Sequence, residues 1–431
     1  KRRSLRRLWP PRLSAAFFGK RQCGTMRACT WPCHVHPRAA RSLLCAMPRD
    51  VDLLILGGGC AGLSLAMQLA QHGHRAPSTL ILEQRACYVN DRTWCFWGDD
   101  TTPFAEQAAH QWAAFQVVDA GETRRLACAD TPYRMLTAEQ FYRSALAALA
   151  PVPQMRLHMA SPVTAEPWYR AGRWHVETPD GPCSARSLVD TRAQRPLAPS
   201  DALMWQSFTG LEIECAQSVF EPSCVELMNF SGATPQRVGF TYVLPLSATR
   251  ALVEFTVFAE MPFTPEDLEM DLHSAIAQRV HGAAYTVHRS EHGILPMGLM
   301  GQHAHAASAG PGHVQVGLFA GAARPATGYA FQRIQRWAAA CAHVLVQGGV
   351  PIAHPQEPAL RGWMDQLFLK VLRRQPALGP ELFMAMFAGV STPRVIRFMG
   401  EGARLSDCAA IACALPPRPF LRQLFSGPRW S

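Results

Sequence analysis

Residues 1–46 contain no aspartate or glutamate, yet they hold 11 lysines and arginines. The formal net charge of +10 therefore sits at one end of the chain. The other 385 residues carry 31 basic and 32 acidic side chains, so the body is almost neutral. A body that grips nucleic acid through a basic surface is excluded on that count. Three readings fit the basic stretch: translated sequence ahead of a start at Met47, an arginine-rich transit peptide, or a membrane-surface or interaction arm. The fold is expected to begin after residue 46.

No C-x-x-C occurs among the 14 cysteines, and the closest spacing of that kind is Cys29 and Cys33 inside the basic stretch. The other cysteines are scattered, which points to reduced, mostly buried thiols, a cytosol-like compartment and no metal site. No run of about 18 apolar residues exists, so no transmembrane helix is predicted and attachment to a membrane would be peripheral. Charged residues make up only 17% and apolar residues 48%, which excludes a disordered chain. No internal repeat is found. The length of 431 residues suits two closely joined domains or one large one.

What is present begins with VDLLIL (51–56), a continuous apolar run of the kind a parallel strand shows when both its faces are buried. Gly57, Gly59 and Gly62 follow in G-x-G-x-x-G spacing and open a helix whose apolar residues recur at helical period. Thr79–Leu82 reads as a second buried strand, ending at Glu83. This strand–glycine loop–helix–strand unit is the context a dinucleotide fingerprint requires. Gly57 permits the turn, Gly59 lets backbone approach a pyrophosphate, and Gly62 lets the helix pack. Free N–H groups at the helix start attract phosphate, and Glu83 can accept from a ribose diol. The unit comes first in the body, which favours FAD over a nicotinamide nucleotide.

Residues 136–149 read as a helix capped by Thr137, with Gln140 in the capping-box position. Strand-like alternation runs from 155 to 260, and 238–245 with 251–258 reads as an antiparallel hairpin. A short strand is predicted at 314–319, a helix at 331–346 and further helices beyond 350, ending in a Pro-rich tail. The expected fold is α/β. It comprises a Rossmann-like FAD-binding domain (47–150 and 285–346), an interleaved antiparallel substrate domain (151–284) and a helical C-terminal region (347–431).

Several strings are unusual: YVNDRTWCFW (88–97), GFTYVLPLSATRALVEFTVF (239–258), GILPMG (293–298), GLFAGAARPATGYAFQRIQ (317–335) and TPRVIRFMGE (392–401). Together they resemble the flavin-dependent lycopene cyclase family, of the bacterial beta-cyclase type, from about Asp50 to about Leu424. The resemblance implies closure of the acyclic ends of lycopene into β-ionone rings, with FAD active in its reduced form, NAD(P)H as reductant and no net redox change. It also implies a cytoplasmic enzyme peripheral to the membrane, since the substrate is insoluble in water. The Met- and Phe-rich stretch 363–399, with its nearby arginines, is one face that could meet lipid. One departure stands out, in that the resemblance leads us to expect an aspartate where Asn229 stands.

Ring closure needs an acid for C2, a lining for the cation and dry walls. Glu254, mid-strand among apolar residues, is the candidate acid and base, because burial would keep its carboxyl protonated. It also falls on the family's strand-borne glutamate. Asp91 is a second catalytic candidate. Arg92 could contact the flavin or its phosphates, and Trp94 and Trp97 could line a polyene tunnel. Gly321 and Gly328, in the turn that carries Tyr329, could bring backbone N–H groups to the flavin ring. His288 and His292 flank Glu291 without a metal-ligand pattern and read as surface or packing residues. A redox flavoprotein acting on isoprenoids, or a silent flavin- or carotenoid-binding protein, are the alternatives. No G-D motif of the hydroxylase kind follows strand 314–319.

Overall fold

The computed structural model describes residues 50–193, 197–231, 233–300 and 310–425. The basic stretch 1–46 lies outside the described residues. The apolar run after it forms the strand Asp50–Leu56, in which Leu54, Ile55 and Leu56 are fully buried. This strand lies between the parallel strands Thr79–Leu82 and Cys183–Asp190. Met155–His158 and His313–Gln315 extend the parallel sheet on either side. Trp168–Arg170 and Arg173–Val176 join it antiparallel. The helices Cys60–Ala70, Ala138–Leu149 and Phe331–Val346 bury Leu63, Phe141 and Trp337 in one core against it. The helix at 138 begins as expected: Thr137 Oγ1 accepts from Gln140 N, and Gln140 Oε1 accepts from Thr137 N. Such caps contribute on the order of 1 kcal/mol.

The second sheet has seven strands in the spatial order Tyr285–Leu299, Ala202–Cys215, Arg250–Ala259, Val238–Pro245, Val225–Asn229, Ala114–Asp119 and Glu122–Ala127. All neighbours are antiparallel except Val225–Asn229 beside Ala114–Asp119. Strand period 2 divides the Arg250–Ala259 strand cleanly. Val253, Phe255 and Val257 face the helix Pro265–Val280 and share a core with its Leu268, Leu272 and Ile276. Leu252 and Phe258 face the other way, into a core with Leu369, Phe383 and Val395 of the C-terminal helices. Glu254 and Thr256 are on this second face. A third, small sheet pairs Tyr133–Thr137 with Thr93–Trp97 and His110–Trp112.

Sheet membership departs from the expected boundaries at 150 and 284. Residues 155–190 supply strands to the parallel sheet, because Leu188 and Val189 are buried on both faces as a central strand requires. Residues 114–127 and 285–299 belong to the second sheet, the latter through pairing along nearly the whole Ala202–Cys215 strand. The strand expected at 314–319 is short. Gly317, at φ +97°, breaks it, and Leu318–Ala320 turns as a 3-10 helix. The Pro-rich tail forms the helix Pro417–Phe425, where proline fits the first turn. In 363–399 most apolar side chains, including Leu369, Leu372, Phe383 and Phe387, point into the core. Trp363 is the large apolar residue of that stretch that is exposed, and Val350, Leu360, Leu405, Leu421, Leu424 and Phe425 are exposed outside it. Among the described residues no helix is long and apolar enough to cross a membrane.

Candidate functional site

The glycine loop has the geometry the fingerprint asks for. Gly57 sits at φ +97°, and its N–H donates to Leu82 O at 2.8 Å. A Cβ on Gly62 would stand 2.1 Å from Gly57 O, so only glycine lets the helix come this close. A Cβ on Gly59 would meet nothing within 4 Å; the space above it is open, beside the uncapped start of helix Cys60–Ala70. Gly57, Gly59, Glu83, Arg85, Asp91 and Arg92 line a cavity of about 490 Å³. Glu83 holds the loop itself: Oε2 accepts from Gly58 N at 2.7 Å, and Oε1 accepts from Arg85 N and Nε. Burial works against this carboxylate, but the Arg85 hydrogen bonds prevail and keep its pKa below the usual range. Both Glu83 oxygens are thus already engaged before any ribose.

A second, larger cavity of about 860 Å³ adjoins the first, and Gly59, Cys60, Arg92 and Thr191 line both. Gln206 Oε1 is buried in its wall and has no hydrogen-bond partner among the described residues. It lies 2.8 Å from where a Cβ on Gly328 would be, and Gly328 is at φ +70°. An open glycine cradle, a helix N-terminus and an orphaned acceptor along one continuous space fit a long dinucleotide such as FAD.

The larger cavity has a polar end and an apolar end. Phe240, Phe258, Phe383, Phe387 and Met386 line the apolar part, which reaches Trp363 and Leu421 near the surface. The polar part gathers Glu254, Glu291, Tyr242, Tyr133, Tyr329 and Cys95. The Tyr133 hydroxyl lies 3.1 Å from that of Tyr242 and 3.3 Å from that of Tyr329. Burial keeps all three phenols and the Cys95 thiol neutral by raising their pKa values. Burial likewise raises the Glu254 pKa well above the glutamate range. The charge of Glu291 and a hydrogen bond shared with it add to the rise, while Arg289 opposes it. Glu254 is thus a buried carboxyl whose environment favours its protonated form, on the wall of a largely apolar chamber.

Glu291 is the group that sequence reasoning missed. It is 4% exposed and accepts from Thr93 Oγ1 at 2.8 Å and from Arg289. Arg289 Nε in turn donates to Glu212 Oε2 at 2.6 Å, and Glu212 is also bound by Arg250. Glu291 was visible between His288 and His292, but only sheet register reveals that it meets Glu254. The bland reading of His288 fits: it is exposed and paired with Glu214. His292 is exposed as well, at the rim of the larger cavity.

Other expected residues divide between the two cavities. Trp94, Tyr329 and Gly328 line the larger one, and Arg92 lines both. Asp91 lines only the smaller one, beside Arg85 and Tyr142, so it does not join Glu254. Trp97 lies behind the wall, packed on Phe115, Tyr133 and Tyr329, with its Nε1 unpartnered among the described residues. Gly321, at φ +87°, lines neither cavity and serves the turn. Asn229 is likewise off the cavity wall; its Oδ1 accepts from Ser231 N at 3.0 Å and closes a turn.

A parallel sheet with a glycine loop, joined to an antiparallel sheet that roofs an apolar chamber, defines the class: the flavoprotein fold of FAD-dependent oxidoreductases. Solved structures of this fold cover most of the chain. A geranylgeranyl bacteriochlorophyll reductase-like protein from Thermoplasma acidophilum matches with a TM-score of 0.54 at 12% identity, over 87% of this chain and 99% of that one. A flavoprotein/dehydrogenase from Cytophaga hutchinsonii matches with a TM-score of 0.53 at 14% identity, over 84% and 98%. Within that class the sequence is specific: residues 52–425 match the lycopene cyclase protein family, and the chain belongs to it. Among curated proteins it is 28% identical to the lycopene beta-cyclase of Pseudescherichia vulneris, over 86% of this chain and 95% of that protein. It is 27% identical to the lycopene beta-cyclase of Pantoea ananas, over 88% and 98%.

Proposed function

We propose that this lycopene cyclase family enzyme closes the ψ-ends of lycopene to β-ionone rings, by acid and base catalysis at Glu254. The observation that carries the reading is a buried carboxyl, in register with a second one across Gly210, on the wall of a largely apolar chamber of about 860 Å³. Glu254 gives its proton to C2 of the terminal double bond, which leaves a cation at C1. The C5=C6 electron pair attacks C1 and forms the ring. The proton on C6 then returns to the Glu254 carboxylate, so the enzyme ends as it began. Trp94 and the neutral phenols of Tyr133, Tyr242 and Tyr329 present π faces and dipoles to the cation, and the apolar walls exclude water that would quench it.

The loop at Gly57 and Gly59 with the start of helix Cys60–Ala70 would hold the pyrophosphate of FAD, and Arg92 and Gly328 its ring end. Bound in reduced form, with NAD(P)H as the reductant, that group would supply electron-rich character beside the cation. Lycopene would enter from a bilayer, past Trp363, Leu421 and Leu424, into an enzyme lying on the cytoplasmic side of a membrane.

The test is expression of the full chain in lycopene-accumulating cells, with analysis of the pigments. Cyclic carotenoid from the wild type, and accumulated lycopene with Glu254→Gln, is the expected result. Reduced or hydroxylated lycopene would assign a redox flavoprotein instead, and unchanged lycopene with the wild type would mean a binding protein.

A further inference from the structure

The catalytic wall is one row of residues. Sheet register aligns Tyr242, Glu254, Gly210 and Glu291 across four adjacent strands. Glu254 and Glu291 are next-but-one neighbours, with the Gly210 strand between them. Two strand spacings put their backbones about 10 Å apart. Across an ordinary strand the middle side chain would fill that gap. Here the middle residue has none, and a Cβ on Gly210 would stand 2.5 Å from Glu254 Cγ. Gly210 lies mid-strand and is absent from the glycines with positive φ, so backbone conformation does not call for glycine there. The vacant side-chain position is what this residue contributes.

From this geometry, we infer that Glu291 is a positioning residue that keeps Glu254 poised as the acid, and that Gly210 is the gap through which the two carboxyls meet. The inference rests on the reading of Glu254 as the acid. Glu291 is fixed from behind by Arg289 and Thr93, and Arg289 by Glu212, which Arg250 also binds. Arg250, Glu212, Arg289 and Glu291 form a string of alternating charges that sums to zero. The acid of the pair is Glu254, which lies on the chamber wall among apolar residues, whereas Glu291 is already held by Arg289 and Thr93.

The proton inventory of the reaction then follows. When the Glu254 O–H bond breaks and the C2–H bond forms, two carboxylates face each other over Gly210. Their repulsion is offset only while the substrate carries its positive charge. The C1–C6 bond forms with the C5=C6 electron pair, and the pull of the unbalanced carboxylate then takes the C6 proton back. Glu291 thus makes Glu254 a stronger base at the last step, while Arg289 and Thr93 hold Glu291 in place. The groups facing the pair are Tyr242 on the next strand, Cys95 and Thr93 on the small sheet, Arg289 beside Glu291, and Glu212 beside Gly210; the exposed His292 is on the opposite face of its strand. Tyr133 and Tyr329 lie behind Tyr242.

The test is the rate of ring formation against pH, with the full chain and detergent-dispersed lycopene. The acid form of Glu254 is required, so the wild-type rate falls as pH rises through the pKa of Glu254. Removing the neighbouring anion lowers that pKa. Glu291→Gln should therefore move the alkaline limb to lower pH by about one unit or more, a tenfold change in proton affinity. Glu291→Asp should restore much of the shift. Gly210→Ala keeps both carboxyls but fills the gap, and should move the limb in the same direction with a slower rate. Glu291→Gln and Gly210→Ala with wild-type rate and pH limb, while Glu254→Gln is inactive, would overturn the inference. A fully active Glu254→Gln would instead overturn the reading beneath it. If Glu291→Gln does not fold, as judged by circular dichroism, the Gly210→Ala limb decides alone.

Discussion

Both halves of the site depend on glycine, for opposite reasons. In the parallel sheet, Gly57 is needed for its positive φ, Gly62 for close approach of a helix to backbone, and Gly59 for an open cradle. In the antiparallel sheet, Gly210 lies within an ordinary strand, and its missing side chain makes room for a neighbour's carboxyl. The first set shapes backbone around a ligand. The second lets two side chains from different strands touch. The first is also local: Gly57 to Glu83 is one strand–helix–strand unit. The second joins residues 210, 254 and 291 through pairing alone.

That contrast can be broken from either side. The largest effect belongs to the antiparallel half, where loss of a general acid typically costs ~100- to 10,000-fold in rate. Glu254→Gln should show a loss of that size while the flavin absorbance of the purified protein stays normal. In the parallel half, two glycines should respond differently. Gly59→Leu should abolish flavin absorbance yet change the melting temperature of flavin-free protein little, because a Cβ there meets nothing within 4 Å and points into the open cradle. Gly62→Ala should lose both, since its Cβ is driven onto the backbone oxygen of Gly57. Equal melting losses for the two variants would show that the cradle is not open.

A smaller effect is expected where the halves are tied together. Arg324, in the turn before helix Phe331–Val346, makes a two-point ion pair with Asp365 at 2.7 and 2.9 Å, both fully buried. It also donates to Phe398 O, so one guanidinium links that turn to two C-terminal helices. Breaking a buried pair by removing one partner destabilises by about 3–5 kcal/mol. Asp365→Ala should show a loss of that order in denaturant unfolding, with unaltered far-ultraviolet circular dichroism at low denaturant. A loss below about 1 kcal/mol would mean that water reaches the pair.

The smallest change tests the wall. Trp97 packs behind it with a buried N–H that has no partner among the described residues, whereas Trp94 lines the chamber. Trp97→Phe removes a donor that has no acceptor, and the relief of about 1–3 kcal/mol offsets much of the lost packing. Its stability and product distribution should stay close to wild type. A changed ratio of cyclic products would place Trp97 on the substrate path.

The residues explain how much could be read early. The helix at 138 was legible because Thr137 and Gln140 lie three residues apart and act locally. The hairpin of 238–259 was legible because its partners are adjacent in sequence. The glycine loop was legible because turn, cradle and helix contact lie within six residues. Glu254 stood out as one charge in an apolar strand. Where Asp91 and Trp97 fall was not legible, because neither the loop that carries Asp91 nor the strand Thr93–Trp97 says by its own sequence which cavity its side chains meet.

The sequence by itself determined the dinucleotide unit and the family, and it marked Glu254 as a lone carboxylate within an apolar run, since each is carried by neighbouring residues. Only the tertiary structure shows which sheet each strand joins, and that Gly210 stands in register between Glu254 and Glu291. A strand's place in a sheet is set by whichever edge it pairs with, and that edge can be a hundred residues away. Glu291 and Gly210 carry no local mark of their role; they acquire it when three strands align in register and one of them leaves a side-chain position empty.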